Sequence, residues 1–235
     1  MARERRCVAL AIFDLDNTLI GDDSDYLWGQ FLVERGIVDG QAYERANAAF
    51  YDQYKAGTLN IVEFLHFALR PLADNEPERL KKWRAEFIEE KIRPVLLPAA
   101  RELLDKHRRL GHVLVVITAT NRFVTEPIVA LYGIDNLIAT APEMQGGRYT
   151  GDFVGIPCYQ SGKVERLNAW LAETGHDLTG SWFYSDSRND IPLLERVENP
   201  VAVDPDDTLR QWAETRGCPV ISLREGSCPG HHVVK

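Results

Sequence analysis

The sequence predicts an α/β fold, with a doubly wound, mostly parallel, Rossmann-like sheet and an inserted helical cap domain. Short apolar runs alternate with helical stretches along the chain, which is typical of a parallel sheet covered by helices on both faces. The alternation stops over residues 23–93, where the pattern is helical and the segment is too long for a connecting loop. We therefore predict an α/β core over residues 1–22 and 94–235 and a cap domain over residues 23–93.

The first apolar run, Cys7–Phe13, has the continuous hydrophobic character of a central strand. Later runs predict strands at Val113–Thr118, Leu137–Ala139, Trp182–Ser185, Val201–Val203 and Val220–Ser222. Helices are predicted at Ala99–Leu110, Arg122–Tyr132, Gly162–Thr174, Asp190–Val197 and Asp207–Arg216. A hairpin is predicted within Glu143–Gly155, because Gln145–Arg148 suits its turn.

The cap segment predicts about four helices from its start and stop residues. Asp23 or Ser24 can cap the first helix. The pair Gly57-Thr58 is interpreted as opening a later helix that Pro71 ends, and Pro77 as starting the last one.

The composition limits the class of partner. The formal net charge is −8 and the sequence pI is about 5.3, which argues against non-specific binding to nucleic acid or to an anionic membrane. The four cysteines are scattered, as expected for reduced thiols in a cytoplasmic protein. The apolar run after the basic start is too short for a signal peptide, and no segment suits a bilayer span. We expect a cytoplasmic protein with a small-molecule partner, and its oligomeric state is left open.

Near the carboxyl end, Cys228, His231 and His232 are candidate metal ligands. They lack a fourth ligand at a useful spacing. We therefore expect a flexible tail at this end rather than a metal site.

The strongest motif is Asp14-Leu15-Asp16-Asn17-Thr18, directly after the first predicted strand. In a parallel sheet ligands bind beyond the carboxyl ends of the strands, so both aspartates can address one site there. A carboxylate is a competent nucleophile towards phosphorus, and a metal ion offsets the repulsion between two anions. The alternative is a surface turn, which aspartate and asparagine also favour.

Thr118-Ala119-Thr120-Asn121 follows another predicted strand and precedes a helix. A hydroxyl and free backbone N–H groups at a helix start form a cradle for an anion. The alternative is ordinary helix capping by Thr120 or Asn121.

Two later features complete the pattern. Lys163 stands in the first turn of a predicted helix, where a cation opposes the helix dipole, and neutralising a phosphoryl group would explain it. A solvated surface lysine is the alternative. After the Trp182–Ser185 strand, Asp186 can supply an oxygen to a hard divalent cation, and Asp190 can orient the site. Capping by Asp186 or Ser187 is the alternative there.

As an ordered set, these motifs resemble the haloacid dehalogenase-like phosphohydrolase superfamily, which carries a DxDxT motif, a Ser or Thr, a Lys and a later DxxxD motif. The resemblance covers nearly the whole chain, since the helical insert sits where the family's first type of cap sits. It implies a phosphatase for a small phosphomonoester, with Asp14 as nucleophile and Asp16 as general acid and base. It also implies Mg²⁺ held by the Asp14 carboxylate, the Asp16 backbone carbonyl and Asp186.

The resemblance further implies that the phosphoryl oxygens are bound by Thr118 and Lys163, with Ala119 and Asn189 also in the substrate site. Thr18 and Asp190 would hold these residues in position without contacting the substrate. The chain looks like the phosphoserine phosphatase-like branch, in which an acid at the position of Asp23 binds the substrate amine. The alternative is that Asp23 merely starts the first cap helix.

One feature of the phosphoserine phosphatase-like branch is missing from this sequence, and its absence limits the choice of substrate. The cap arginine that reads a substrate carboxylate has no match, because neither Arg45 nor Arg70 has the right context. A cationic substrate without a carboxylate fits better, and histidinol phosphate is such a molecule. Its imidazole could be flanked by Tyr26, Trp28, Phe31, Phe64 or Phe67, or these aromatics could be cap core.

Other functions can use a similar set of residues. Phosphoserine is the alternative substrate, and a phosphotransferase or mutase would use the same intermediate. A phosphorylation-controlled signalling domain also combines an aspartate, a hydroxyl, a lysine and Mg²⁺, but it is much shorter and lacks a large cap. A catalytically silent binding protein would not need both Asp14 and Asp16.

Overall fold

The computed structural model describes residues 8–224. Its main sheet has six parallel strands in the order β3-β2-β1-β6-β7-β8. These are β1 (Leu10–Phe13), β2 (Val113–Ile117), β3 (Asn136–Ile138), β6 (Trp182–Ser185), β7 (Asn199–Val203) and β8 (Val220–Ile221). The predicted α/β fold with a doubly wound, mostly parallel sheet is confirmed.

Strand β1 is the centre of the sheet because it pairs with both β2 and β6. Ile12 lies opposite Val115 on one side and Phe183 on the other. Alternate side chains of β1 enter two different hydrophobic clusters, one on each face: Phe13 in the first and Ile12 in the second. A strand buried on both faces explains the uninterrupted apolar run in the sequence.

Helices cover both faces of the sheet. Residues of α5 (Pro98–Arg109) and α6 (Arg122–Leu131) join the cluster that contains Phe13. The opposite cluster takes residues of α7 (Ser161–Thr174), α8 (Ile191–Leu194) and α9 (Asp207–Arg216).

The chain between β1 and β2 is helical, as predicted. It forms α1 (Ser24–Glu34), α2 (Gly40–Ala56), α3 (Ile61–Ala73) and α4 (Pro77–Phe87), followed by a π turn at Ile88–Ile92 and a 3-10 turn at Arg93–Val95. The two chain segments that connect this insert to the sheet pair with each other. Ile20 forms an antiparallel bridge with Leu96, and Gly21 N–H donates to Val95 O at 2.8 Å. The division into core and cap domains remains a prediction.

Two predicted helix boundaries in this insert are wrong. Gly57 ends α2 instead of opening α3, because its φ of 72° supplies the left-handed turn of a C-cap. Asn60 caps α3 by accepting hydrogen bonds from the next turn. Pro71 lies inside α3, which continues to Ala73. The helix thus tolerates the loss of one backbone donor in its last turn.

Smaller differences concern the ends of the core elements. The first strand begins at Leu10, and Cys7 lies outside the described residues. The helix predicted at Asp190–Val197 is a 3-10 turn at Arg188–Asp190 followed by the short α8. Ser187 caps that turn by accepting the Asn189 N–H at 3.2 Å, so the helical region starts earlier than predicted.

The predicted hairpin is present as β4 (Ala141–Gln145) and β5 (Arg148–Val154), which pair antiparallel. Gly146 and Gly147 form the turn, both with positive φ. Cys158 and Cys218 are free thiols. The tail residues Cys228, His231 and His232 lie outside the described residues. Within residues 8–224, no helix is both long and apolar enough to cross a membrane.

Candidate active site

The predicted site residues meet at the carboxyl edge of the sheet. Asp14 follows β1, Thr118 follows β2 and Asp186 follows β6. Because β1 pairs with both neighbours in parallel, the three strand ends lie side by side. The order of strands therefore brings together residues that are far apart in the sequence.

Asp14 is held by its backbone and by one cation. Its N–H donates to Tyr184 O at 2.9 Å, and its Oδ1 lies 2.7 Å from Lys163 Nζ. Burial raises the pKa of Asp14 to about 7, and the Asp190 and Asp16 carboxylates add to this while Lys163 opposes it. The other carboxylate oxygen is not engaged by Lys163.

Lys163 is 2% exposed, so the alternative of a solvated surface lysine is excluded. Its Nζ contacts Asp14 Oδ1 at 2.7 Å and both oxygens of Asp190, at 2.7 and 2.8 Å. Burial alone would lower the pKa of Lys163, but these two carboxylates raise it above its ordinary value. Asp190 is fixed in turn by the Ser185 hydroxyl, which donates at 2.7 Å. The lysine therefore stays charged at the start of α7.

Asp16 accepts hydrogen bonds at both carboxylate oxygens. Ser24 N–H donates to Oδ1 at 2.7 Å, and the Thr120 and Thr118 hydroxyls donate to Oδ2 at 2.8 and 3.3 Å. Burial raises the pKa of Asp16, and these hydrogen bonds act against that rise. The loop reaches this position through Asn17, whose φ of 55° reverses the chain.

Within residues 118–121, one residue caps a helix and another contacts the site. Asn121 caps α6 through Oδ1, which accepts Val124 N–H at 3.3 Å. Thr120 instead donates to Asp16, so its interpretation as a helix cap is wrong and its contact with Asp16 was missed. Ala119 lines the same cavity as Asp14 and Asp16, and its part in a phosphate cradle stays a prediction.

Asp186 lies beside the same carboxylates and accepts the Thr18 hydroxyl at Oδ1, 3.2 Å away. Burial and then Asp14 and Asp190 raise its pKa well above the ordinary range. Within residues 8–224, no three His, Cys, Asp or Glu side chains are grouped to hold a metal ion. The predicted donors are two carboxylates and one backbone carbonyl. Lys163 offsets only part of the negative charge of Asp14, Asp190 and Asp186, and the charge that remains suits a hard divalent cation.

Asn189 is not among the cavity-lining residues. Its Oδ1 accepts from Tyr159 OH and Gln160 Nε2, both at 3.1 Å, and its Nδ2 donates to Tyr54 O at 3.0 Å. Asn189 thus connects the sheet edge to the end of α2. These contacts hold the amide in place, and its role in substrate binding stays a prediction.

Asp23 lines the cavity and also caps α1. Its Oδ1 accepts the N–H groups of Asp25 and Tyr26, at 3.0 and 2.8 Å. The capping alternative is therefore correct in geometry, and substrate binding by Asp23 stays a prediction. Burial, followed by the Asp16 charge, raises the pKa of Asp23 well above its ordinary value.

The cavity is bounded by the strand ends and by the helical insert. It is lined by Asp14, Asp16, Asp23, Asp25, Tyr26, Asn47, Phe50, Tyr51, Tyr54, Leu59, Ile61, Phe64, Thr118, Ala119 and Thr120. Four of these are aspartates and, within the described chain, none is a lysine or arginine. Arg45 and Arg70 lie elsewhere, and Arg70 pairs with Asp74 at 3.7 Å.

Of the five aromatic residues predicted to flank a substrate, Tyr26 and Phe64 line the cavity. Trp28 and Phe31 belong to the hydrophobic core, and Phe67 stacks on Tyr43, which agrees with the alternative that these aromatics pack within the cap.

Sequence reasoning missed one complete wall of the cavity. It is formed by Asn47, Phe50, Tyr51 and Tyr54 of α2. Their spacing places them on one face of the helix, and that periodicity was the signal available in the sequence.

Comparisons with known proteins identify the family of the chain. The family model for haloacid dehalogenase-like hydrolases matches residues 11–195. A histidinol-phosphatase of Neisseria meningitidis is 46% identical over 92% of this chain and 99% of its own length. A crystal structure of a Bordetella pertussis protein of unknown function, 43% identical, covers 92% of this chain and 99% of its own with a TM-score of 0.87.

A substrate-bound phosphoserine phosphatase structure shares the fold, with 19% identity, a TM-score of 0.69 and coverage of 93% of this chain and 94% of its own. The predicted enzyme class, phosphatase, is confirmed by these findings together. The chain belongs to the haloacid dehalogenase-like hydrolase family.

Proposed function

We propose that this phosphatase hydrolyses a small cationic phosphomonoester through a phosphoryl-aspartate on Asp14, with Mg²⁺ as its cofactor and histidinol phosphate as the candidate substrate. The observation that carries the proposal is the arrangement of Asp14, Lys163 and Asp16 at one sheet edge. A buried carboxylate lies 2.7 Å from a buried ammonium, and a second carboxylate lines the same cavity.

In the first half of the reaction, the Asp14 carboxylate attacks phosphorus and the bond to the leaving oxygen breaks. Asp16 gives its proton to that oxygen, and its raised pKa supports its holding a proton for this step. Lys163 and Thr118 stabilise the charge on the phosphoryl oxygens. In the second half, Asp16 takes a proton from water, whose oxygen attacks phosphorus and releases Asp14.

Asp14, the Asp16 carbonyl and Asp186 would hold the metal ion. When bound, it would act as a Lewis acid that offsets the negative charge of the carboxylates and the phosphoryl group. The raised pKa values of Asp14 and Asp186 support this assignment, because each reflects buried negative charge with too little compensation.

The charge of the cavity supports a cationic substrate. Its four lining aspartates face no lining lysine or arginine within the described residues. A substrate carboxylate such as that of phosphoserine would therefore lie among acidic lining residues, whereas an amine or imidazolium would be attracted by them. The name of the 46% identical relative, histidinol-phosphatase, supports the same choice.

The test is phosphate release from histidinol phosphate, phosphoserine, a sugar phosphate and a nucleoside monophosphate, each with and without Mg²⁺. Histidinol phosphate should give the highest kcat/KM, and chelation should abolish turnover. Asp14→Asn should remove activity while the protein stays folded by circular dichroism. A higher kcat/KM for phosphoserine would contradict the substrate assignment, and an active Asp14→Asn variant would contradict the mechanism.

A further inference from the structure

Asp25 contributes a buried carboxylate to the cavity that the proposed phosphoryl chemistry does not use. It is 8% exposed and lies in the first turn of α1. Its Oδ1 accepts a hydrogen bond from Asn121 Nδ2 at 3.4 Å, at the long end of the useful range. Among residues 8–224, no other group hydrogen-bonds to this carboxylate. The other carboxylate oxygen, Oδ2, therefore remains available to a ligand in the cavity.

The neighbouring Asp23 differs in this respect. Its Oδ1 already accepts two backbone N–H groups, at 3.0 and 2.8 Å, in capping α1. An anion satisfied in this way gains less from an added cation than one with a single long hydrogen bond. The two acids line one cavity, but Asp25 has the greater unmet demand for a donor.

The rest of the cavity wall suits a flat cationic group. Tyr26 and Tyr51 lie 5.0 Å apart between ring centroids, and Phe50 and Phe64 lie 5.5 Å apart. Aromatic faces attract cations and planar rings. Asn47 donates its Nδ2 to Tyr26 O at 3.2 Å, which leaves its carbonyl oxygen as a further acceptor at the cavity.

We propose that Asp25 is a specificity-determining residue, which accepts a hydrogen bond from a protonated nitrogen in a planar ring on the non-reacting part of the substrate. The aromatic pairs Tyr26–Tyr51 and Phe50–Phe64 hold the plane of that ring. The inference rests on the proposed function and deepens it. Asp25 would bind the protonated ring nitrogen, and other groups would bind any separate amine of the substrate.

The test separates the two cations of the substrate. Four phosphomonoesters are compared: histidinol phosphate, an imidazolylpropyl phosphate without the amine, 2-aminopropyl phosphate without the ring, and propyl phosphate without either. Asp25→Asn keeps the shape and removes the charge. Asp39→Asn is the matched control, because it makes the same charge change at an exposed position of the insert that caps no backbone N–H.

Asp25→Asn should lower kcat/KM at least about tenfold for the two imidazole substrates, since a hydrogen bond to a charged group is lost. Propyl phosphate and 2-aminopropyl phosphate should change by less than about twofold. Asp39→Asn should leave all four rates unchanged. An equal loss on all four substrates, or no loss on the imidazole pair, would overturn the inference.

The unmodified enzyme provides a second measurement should Asp25→Asn fold poorly. Its kcat/KM should be at least about tenfold higher for the imidazolylpropyl ester than for propyl phosphate. Equal rates on those two esters would overturn the role of Asp25 while leaving the phosphatase mechanism intact. Release of phosphate from none of the four esters would contradict the proposed function itself, and the inference with it.

Discussion

The Thr120 hydroxyl donates to Asp16 Oδ2 at 2.8 Å, closer than the Thr118 hydroxyl, which lies 3.3 Å from the same oxygen. A hydrogen bond to a carboxylate stabilises its charged form and lowers its pKa. Thr120 therefore sets how readily Asp16 gives up its proton, although it stands outside the family motif.

Thr120→Val should lower kcat about tenfold and move the basic limb of the kcat–pH profile to higher pH. The reason is that Asp16 loses its shorter hydroxyl donor, which raises its pKa. The profile is measured by phosphate release across pH 5–9. Thr125→Val is the control, since that buried hydroxyl donates only to Asn121 O, at 3.1 Å. An unshifted limb would show that Asp16 does not supply the proton.

Lys163→Met should destabilise the fold by about 3–5 kcal/mol, because two buried carboxylates lose their shared cation. The measurement is urea unfolding in the absence of divalent ions. Adding Asp190→Asn to Lys163→Met should recover part of the loss by removing one of the stranded charges. A double variant less stable than Lys163→Met would refute this account of the pair.

Stability should fall as pH rises through the window set by Asp25. Burial, followed by the Asp16 charge, raises the pKa of Asp25 from 3.8 to about 7. Between those values the folded state binds more protons than the unfolded state, so the free energy of unfolding decreases with pH. Urea unfolding at intervals from pH 4 to 8 should show this slope, and Asp25→Asn should make it shallower without abolishing it, because burial raises the pKa of Asp14 to about 7 as well. An unchanged slope in the variant would exclude Asp25 as its source.

Asn189→Ala should loosen the end of α2, because the Asn189 amide donates to Tyr54 O at 3.0 Å. Amide hydrogen exchange should become faster around residues 50–57, with the sheet strands unchanged. Asn75→Ala is the control, since its amide donates to Pro71 O at 2.9 Å within the insert. Equal exchange in both variants would contradict a connection through Asn189.

Gly29→Ala should destabilise the insert by about 1–3 kcal/mol through overpacking. A methyl group at Gly29 would lie 2.5 Å from Asn47 Nδ2, where α1 and α2 cross. Gly40→Ala is the matched change, because its methyl group would meet only Val33 Cγ1, at 3.6 Å. Thermal unfolding should separate the two variants, with Gly40→Ala neutral or stabilising. Equal melting temperatures would contradict the close crossing.

Most of the sheet could be predicted because its strands are buried on both faces. That burial produces apolar runs such as Ala11–Phe13, which stand out in any sequence. Element ends were less predictable, as the continuation of α3 from Pro71 to Ala73 shows, because a helix can continue where tertiary packing offsets a missing hydrogen bond.

The site was predictable where residues follow strands. Asp14, Thr118 and Asp186 end neighbouring strands, so sheet order alone brings them together. The wall formed by α2 was not found, because its position depends on how the insert packs over the sheet. Tyr54 is placed there by contacts such as the one with Asn189, which no local pattern encodes.

The two segments that connect the insert to the sheet are joined at Ile20–Leu96 and Gly21–Val95, which limits how the insert can move. Trp28 and Phe31 of α1 also share one hydrophobic cluster with Phe123 of α6, which fixes α1 against the core. Ser24, at the start of α1, is therefore held where its N–H donates to Asp16. The wall formed by α2 joins the sheet edge through a different contact, the hydrogen bond from Asn189 to Tyr54 O. The residue proposed for proton transfer and the aromatic wall are thus anchored to the core independently.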